Sequence, residues 1–457
     1  MHTPAAKRAR RSGQACAIPA AKRAPHLRPS VHTRDDGGMP NPVPSSLVAR
    51  KAQVMVDDAL ADTRVVAING ARQTGKSTLT RLVAERHQPM RTLTLDDPAT
   101  LRAAHDDPVS FVEHDGLLVI DEVQRAPELF LPIKIEVDTD PTPGQFLLTG
   151  SAQVLALKSL PDALPGRMET IELWPFSQGE IATAPDRFVD AAFTHGPRLV
   201  HDSTLRRRDY LELAAAGGYP EAVRRTDRRR PAFFENYLDT LIKRDIQEIG
   251  AIERPTQLRK LLQLLAVRSA NLLVAGTLAG ELEVHRTTVA RYLALLETVF
   301  LIKTIPAWSA GATYRTIGTP KLAFVDSGIL CHLLGQGPAR LADPGGAAGS
   351  VLENFVLMEL ARQLTWNDER VTLWHYRTKD KVEVDAVLET ADGRIIGIEV
   401  KAAATVRTPD FAGLRHLRDR LGDRFIAGFI LYSGQHSLPF GDRLRALPID
   451  ALWQAAP

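Results

Sequence analysis

Eight residues, Gly70, Ala71, Arg72, Gln73, Thr74, Gly75, Lys76 and Ser77, fit the pattern G-x-x-x-x-G-K-[ST] at every fixed position. The pattern has a mechanism. Glycines let the backbone bend so that successive N–H groups point inward at phosphate oxygens. A helix starting at the loop adds free N–H groups and the positive end of its dipole. Lys76 can reach the β- and γ-phosphates of a nucleotide, and the Ser77 hydroxyl can ligate Mg²⁺. Residues 70–78, Thr78 included, are therefore the candidate ATP-binding stretch, with Mg²⁺ as cofactor. A chance match would need no particular surroundings. Here apolar residues 65–68 read as a buried strand before the loop, and Leu79, Leu82 and Val83 as an amphipathic helix after it.

A second group of residues fits the same chemistry. Asp121 and Glu122 follow the apolar run 117–120, which suits a parallel strand covered on both faces. Acids at the carboxyl end of such a strand sit where ligands bind in open α/β sheets. Asp121 is the candidate Mg²⁺ holder, and Glu122 the candidate general base for the attacking water. Alone, the pair would read as a solvated acidic turn; its place after a full phosphate loop favours the functional reading. The run 146–151 is another buried strand ending in polar groups. Its Thr149 or Ser151 can sense the γ-phosphate or hold the attacking water, or simply close a turn. Arg167 is either an arginine finger toward its own or a neighbouring site, or one half of a surface ion pair.

Positioning these residues takes five strands alternating with helices, one α/β domain over residues 46–185. The remaining pieces are a helix over 47–60, a strand over 91–95 ending at Asp96 and Asp97, and a polar helix over 100–114. The segments G-x-R-Q-T-G-K-S, Leu-Asp-Asp, I-D-E-V-Q, L-T-G-S and G-R, in this order, resemble one group of bacterial and archaeal AAA-type P-loop ATPases that carry a C-terminal domain of uncharacterised function. The resemblance implies ATP hydrolysis, and a sheet whose sensor strand lies between the phosphate-loop strand and the Asp-Glu strand. It continues through Gly217-Gly218-Tyr219-Pro220 and through Tyr237 with Arg244, Asp245 and Ile246.

Residues 186–255 read as a helical region. Phe234, Tyr237, Leu238, Leu241, Ile242 and Ile249 form one stripe, preceded by a cluster of arginines (Arg224, Arg225 and the run 228–230). Residues 256–310 read as a winged helix-turn-helix: helices over 258–267, 275–282 and 287–300, then a wing beginning at 301–305. The outward face of the third helix carries Arg286, Thr288 and Arg291, a thin basic surface that suits either DNA or a packing and protein-contact role. Residues 311–350 read as a connection, with 335–350 rich in Gly, Ala and Pro.

A second constellation lies in residues 351–457. Glu353 falls in a helix over 351–364. Period two puts Glu383 with Asp385, and Glu399 with Lys401, on strand faces opposite Val384, Ile398 and Val400. Carboxylates and a lysine converging from two strands can build a Mg²⁺-activated water for phosphodiester cleavage. Glu353, Asp385, Glu399 and Lys401 resemble the site of the PD-(D/E)XK nuclease superfamily, which implies an α/β nuclease-like C-terminal domain. Val384 stands where that superfamily carries its proline.

Bulk properties narrow the partners. Residues 1–38 carry eight Lys and Arg against Asp35 and Asp36, a charge of +6; the whole chain is +3, so the rest is −3. The folded body is not a general polyanion binder. The basic tail over 1–45 reads as disordered: an arm for nucleic acid, or an inert or over-long start ahead of Met39. Two cysteines support neither a disulfide framework nor a zinc cluster, and indicate a reducing, cytoplasmic setting. No apolar run reaches the ~20 residues a membrane span needs. The expected partners are ATP, then DNA or a protein, with a homo-oligomer as a further option.

Overall fold

The computed structural model describes residues 47–150, 164–246, 255–309, 311 and 318–457. The basic tail, Cys16, Ser151 and Ile249 lie outside these residues, as do the side chains of Arg244 and Asp245.

Five strands form the first sheet: β1 (Val65–Asn69), β2 (Met90–Thr94), β3 (Leu117–Asp121), β4 (Phe146–Gly150) and β5 (Met168–Glu172). Their order is β2-β3-β4-β1-β5, all parallel. The sensor strand β4 thus lies between β1 and β3, the order implied by the resemblance. Uninterrupted apolar runs make these strands because both sheet faces are covered. Val66 and Ile68 pack with Leu79 and Val83 of the helix Lys76–Ala84. Val65 and Ala67 face the other way, toward Phe130 and Ile133 of the helix Phe130–Thr139. The helix expected over 47–60 is Ala52–Asp62, and that over 100–114 divides into Pro98–Asp106 and Pro108–Val112. Asp97 and Asp107 cap those two helices through Thr100 N–H and Ser110 N–H, and Pro98 and Pro108 fill their first positions.

A helical region follows. The helix Arg230–Thr240 runs on into a wider π-helical turn, Leu241–Ile246. Three helices, Pro255–Val267, Ala275–Leu282 and Arg286–Thr298, precede an antiparallel ribbon of β6 (Ile302–Ile305) and β7 (Lys321–Phe324).

The expected connection over 311–350 is regular structure instead. It supplies β7 and the helices Ser327–Leu334 and Pro338–Ala342, with Leu322, Phe324, Leu330 and Leu341 fully buried. The Gly- and Pro-rich composition marks tight turns between short helices, and four residues are too few for β7 to show a strand period. The helix expected over 351–364 starts earlier and spans Ala348–Gln363.

The last sheet runs β12-β13-β11-β10-β9-β8, from β8 (Val371–Arg377), β9 (Glu383–Thr390), β10 (Ile395–Lys401), β11 (Phe425–Tyr432), β12 (Leu438–Pro439) and β13 (Leu444–Pro448). The long helix covers one face with Leu352 and Phe355 over Ile396 and Ile398. The helix Ala412–Leu421 covers the other with Leu414 and Leu417. Among the described residues one apolar core runs from Ala71 and Trp174 through the three-helix region to Trp453, so the helical region and the last sheet pack together rather than as beads on linkers.

Candidate functional site

The phosphate loop leaves the carboxyl end of β1. Gly70 has no room for a side chain, since a Cβ there would stand 2.2 Å from the Leu173 carbonyl oxygen. Gly75 turns the chain into its helix through a left-handed conformation, φ 95°. Lys76 is buried and curls back over the loop, its Nζ donating to the carbonyls of Gly70 (3.0 Å) and Ala71 (2.8 Å). Thr74 Oγ1 donates to Ala71 O at 2.9 Å, holding the loop's shape from inside.

Three elements converge beside it. Ser77 Oγ lies 3.0 and 3.2 Å from the two carboxylate oxygens of Asp121, at the end of β3. Thr149, on β4, donates its hydroxyl to Asp121 and accepts from Glu122 N–H at 3.4 Å. Glu122 has left-handed backbone, φ 59°. That conformation costs a non-glycine residue roughly 1–3 kcal/mol and recurs at active sites. The Gln124 amide holds the Glu122 carboxylate. Ser77, Asp121, Glu122 and Thr149 thus meet at the carboxyl ends of β1, β3 and β4, where open α/β sheets bind ligands. The residues fit ATP·Mg²⁺, because such a site supplies one or two protein oxygens and leaves the other positions to phosphates and water.

Arg167 does not join this group. Val65 N–H donates to Arg167 O, which fixes Arg167 at the amino end of β1. The loop begins after Asn69, four residues further on, about 13 Å at ~3.3 Å per residue. Arg167 instead forms a two-point pair with Asp138, Nη2 to Oδ2 at 3.0 Å, and donates to Pro165 O at 3.1 Å. Its guanidinium, through that hydrogen bond, holds the Asp138 carboxyl below the usual range. The finger reading toward its own site is therefore corrected: here Arg167 is a surface ion-pair residue.

Two features were not legible beforehand. Arg50, just before the first helix, is buried and donates to Glu180 (3.0 Å), Thr74 O (2.9 Å) and Trp174 O (2.6 Å). A lone arginine in a polar lead-in gives no sequence signal for this. Second, a cavity of about 370 Å³ opens beside the loop, lined by Arg72, Gln73, Arg225, Phe233, Asn236 and Tyr237. Arg225 comes from the arginine cluster ahead of the helix Arg230–Thr240, and its guanidinium lies 5.2 Å from the centre of the Phe233 ring.

The C-terminal constellation does assemble, around an unforeseen residue. Lys321, at the start of β7, is fully buried. Its Nζ lies 2.5 Å from Glu353, 3.1 Å from Asp385 and 3.4 Å from Glu383. A bulge aims Asp385: Trp374 pairs with Val387 but Tyr376 with Val384, leaving one extra residue on β9. The other Asp385 oxygen accepts from Val400 N–H at 2.9 Å. Lys401 Nζ donates to Glu399 Oε1 at 2.7 Å, while Glu399 Oε2 is buried without a partner. Burial first, and then the nearby Asp385, push the Glu399 carboxyl up to about 8 and Glu353 well above the usual range. Burial alone would lower Lys321, but Asp385, Glu353 and Glu383 outweigh it and hold the ammonium charged. Among the described residues no three His, Cys, Asp or Glu side chains are arranged to hold a metal ion. The Mg²⁺ site expected from Glu353, Asp385, Glu399 and Lys401 does not fit: an ammonium fills the gap between its first two carboxylates.

Comparison with known proteins divides the chain in three. Residues 62–182 match a family described as AAA domain. Residues 207–340 and 348–452 match two families described as domains of unknown function, DUF8612 and DUF4143. Uncharacterised proteins of Mycobacterium tuberculosis (strain H37Rv) and Mycobacterium bovis are each 29% identical over 406 residues, 88% of this chain and 84% of theirs. Among solved structures, a Walker-type ATPase of Pyrococcus abyssi overlaps 63% of this chain and 96% of its own, at 14% identity and a TM-score of 0.39. Among the described residues no helix is long and apolar enough to cross a membrane. The five-stranded parallel sheet with its phosphate loop matches a P-loop NTPase domain, and it is joined to a helical region and a C-terminal mixed sheet.

Proposed function

We propose that the chain hydrolyses ATP and uses the nucleotide state to govern a DNA or protein interaction of its C-terminal half. The observation that carries the first part is the convergence of Ser77, Asp121, Glu122 and Thr149, from separate elements, beside the phosphate loop. In this reading the loop amides and the helix beginning at Lys76 hold the β- and γ-phosphates. Lys76 exchanges the Gly70 and Ala71 carbonyls for phosphate oxygens. Ser77 and Asp121 would hold Mg²⁺, which would supply neutralisation of the charge on the phosphates. Glu122 takes the proton of the attacking water, and Thr149 fixes the distance between the two acids. The cavity beside Arg72 and Gln73, with Phe233, Tyr237 and Asn236 in its wall, suits the nucleotide base.

Phosphate release by purified protein is the test. Lys76→Ala should abolish turnover, and Glu122→Gln should keep ATP binding while turnover falls ~10²-fold or more. Unchanged release in both variants sinks the assignment. For the second part, exposed Arg286 and Arg291 on the third helix of the winged-helix-like region support a nucleic-acid contact, set against exposed Glu281, Glu283 and Glu297 nearby. DNA retention compared in ATP and ADP, with and without Arg286→Ala and Arg291→Ala, separates the two partners. Loss of retention in the variants supports DNA; no retention in either nucleotide leaves a protein.

A further inference from the structure

We propose that Lys321 is a built-in cation: its ammonium takes the place a divalent ion would hold among Glu353, Glu383 and Asp385, so the C-terminal constellation is a clasp and not a metal centre. The proposal is independent of ATP hydrolysis and departs from what the nuclease resemblance implies.

The geometry makes the argument. A Mg²⁺ ion bridging Glu353 and Asp385 would lie about 2.1 Å from an oxygen of each. Lys321 Nζ already lies 2.5 and 3.1 Å from those carboxylates, in the same gap. The two cations cannot share it, because both are positive and the site is closed to water on the lysine side, where Lys321 has no exposed surface. An ammonium has three N–H groups, and here three carboxylates face it. The acids have little capacity left for a metal. Asp385 spends its second oxygen on Val400 N–H, Glu383 also pairs with Arg377 at 3.0 Å, and Glu399 is engaged by Lys401. Among the buried oxygens of these acids Glu399 Oε2 is left without a partner, and it stands beside the Lys401 ammonium rather than in the gap that Lys321 fills.

The clasp has a structural meaning. Lys321 opens β7, whose partner β6 belongs to the ribbon after the three-helix region. Glu353 stands on the long helix, and Glu383 and Asp385 on β9. A single ammonium therefore ties three elements from different stretches of chain. The bulge in β9 is explained as well: it turns Asp385 so that one oxygen meets Lys321 while the other closes the ladder at Val400. A lysine tether is permanent where a metal would come and go, so the joint between ribbon and sheet does not depend on divalent ions.

The experiment measures Mn²⁺ binding to the nucleotide-free full chain by electron paramagnetic resonance, with thermal unfolding in Mg²⁺ or EDTA alongside. Wild type and Asp385→Asn should give superimposable Mn²⁺ isotherms, and the wild-type midpoint should be the same in 5 mM Mg²⁺ and in EDTA, within about 1 °C. Lys321→Met vacates the gap and leaves three carboxylates facing one another. It should gain one Mn²⁺ equivalent and a stabilisation by Mg²⁺, both lost in Lys321→Met/Asp385→Asn. An Mn²⁺ equivalent present in wild type and missing in Asp385→Asn overturns the proposal. So does a folded Lys321→Met that ignores divalent ions. Should Lys321→Met fail to fold, the comparison of wild type with Asp385→Asn decides alone.

Discussion

Replacing Arg50 with alanine should damage stability and nucleotide affinity together, and the structure sets the sizes. Arg50 is buried, and burial pulls its pKa down while Glu180 raises it. Its guanidinium makes three bonds at once: to Glu180, to the carbonyl of Thr74 inside the phosphate loop, and to the carbonyl of Trp174 just past β5. Alanine leaves a buried carboxylate and two carbonyls short of a donor. Breaking one side of a buried ion pair costs about 3–5 kcal/mol. Glu180 keeps two backbone donors, Lys51 N–H at 2.7 Å and Ser177 N–H at 3.1 Å, so the low end of that range applies. At ~2–4 °C per kcal/mol for a domain of this size, the midpoint should fall by roughly 6–12 °C. The second effect is specific. Thr74 O lies in the loop that wraps the phosphates, so loss of its brace should raise the Kd for ATP about tenfold or more, roughly 1.4 kcal/mol, measured well below the variant's midpoint. Arg50→Lys keeps a charge but not the three-way fork, and should fall between. An Arg50→Ala protein that loses stability but binds ATP like wild type would refute the link to the loop. A loss under 1 kcal/mol would refute the buried network itself.

Two other outcomes follow from the charges. Arg167→Ala removes an exposed ion pair with Asp138, and should leave the unfolding midpoint where it is in wild type. Turnover should not change, whereas a tenfold drop that appears only at concentrations where copies associate would restore Arg167 to catalysis through a neighbouring copy. Asp186, buried near Glu359, has its carboxyl pushed up to about 8, by burial first and then by that neighbour. The folded state therefore holds a proton that the unfolded chain gives up near 3.8. Its contribution is complete below about pH 4 and is lost as pH rises toward 8, so unfolding free energy should decline over that window, by up to ~1.4 kcal/mol per unit. Asp186→Asn should flatten the decline; an unaltered slope would place the proton elsewhere.

The sequence was most legible where local pattern and global packing agree. Parallel strands buried on both faces are apolar runs, so β1, β3 and β4 announce themselves, and the polar residues just past them mark the ligand end of the sheet. The sheet order came with the family likeness rather than with any spacing. Legibility failed where one charged residue acts alone. Lys321 precedes a four-residue apolar run, and nothing local says that its ammonium meets acids 32, 62 and 64 residues onward. Arg50 is equally silent, since its partners are 24 to 130 residues away. Arg167 failed for a different reason. An arginine beside a glycine near a phosphate-loop strand invites a catalytic reading, but the parallel register of β5 on β1 puts it at the wrong end of the sheet.

The same long-range polar contacts suggest how the phosphate loop communicates with the C-terminal half. Arg50 joins Thr74 O to Glu180, and the short helix Gln178–Ala182 that carries Glu180 donates Gln178 N–H to Glu359 at 2.9 Å. Glu359 lies on the long helix Ala348–Gln363 and pairs with Arg362, which donates to Val325 O at 3.0 Å. Gln363, at the end of that helix, donates to Asp186, which accepts from Ser177 at the start of the short one. Every group in the chain is buried, so each bond is too costly to leave unmade and a shift at one end must be followed or broken. Glu353 stands six residues before Glu359, about 9 Å along the helix at ~1.5 Å per residue. In the proposed reading ATP draws Lys76 off the loop carbonyls, and the long helix is the element that would receive the strain at Thr74. Amide exchange across Ala348–Gln363 should therefore change on adding ATP to the Glu122→Gln protein, and Arg50→Ala should erase that change at saturating ATP. Exchange in this helix that is the same with and without nucleotide would mean that the network is scaffolding and carries no signal.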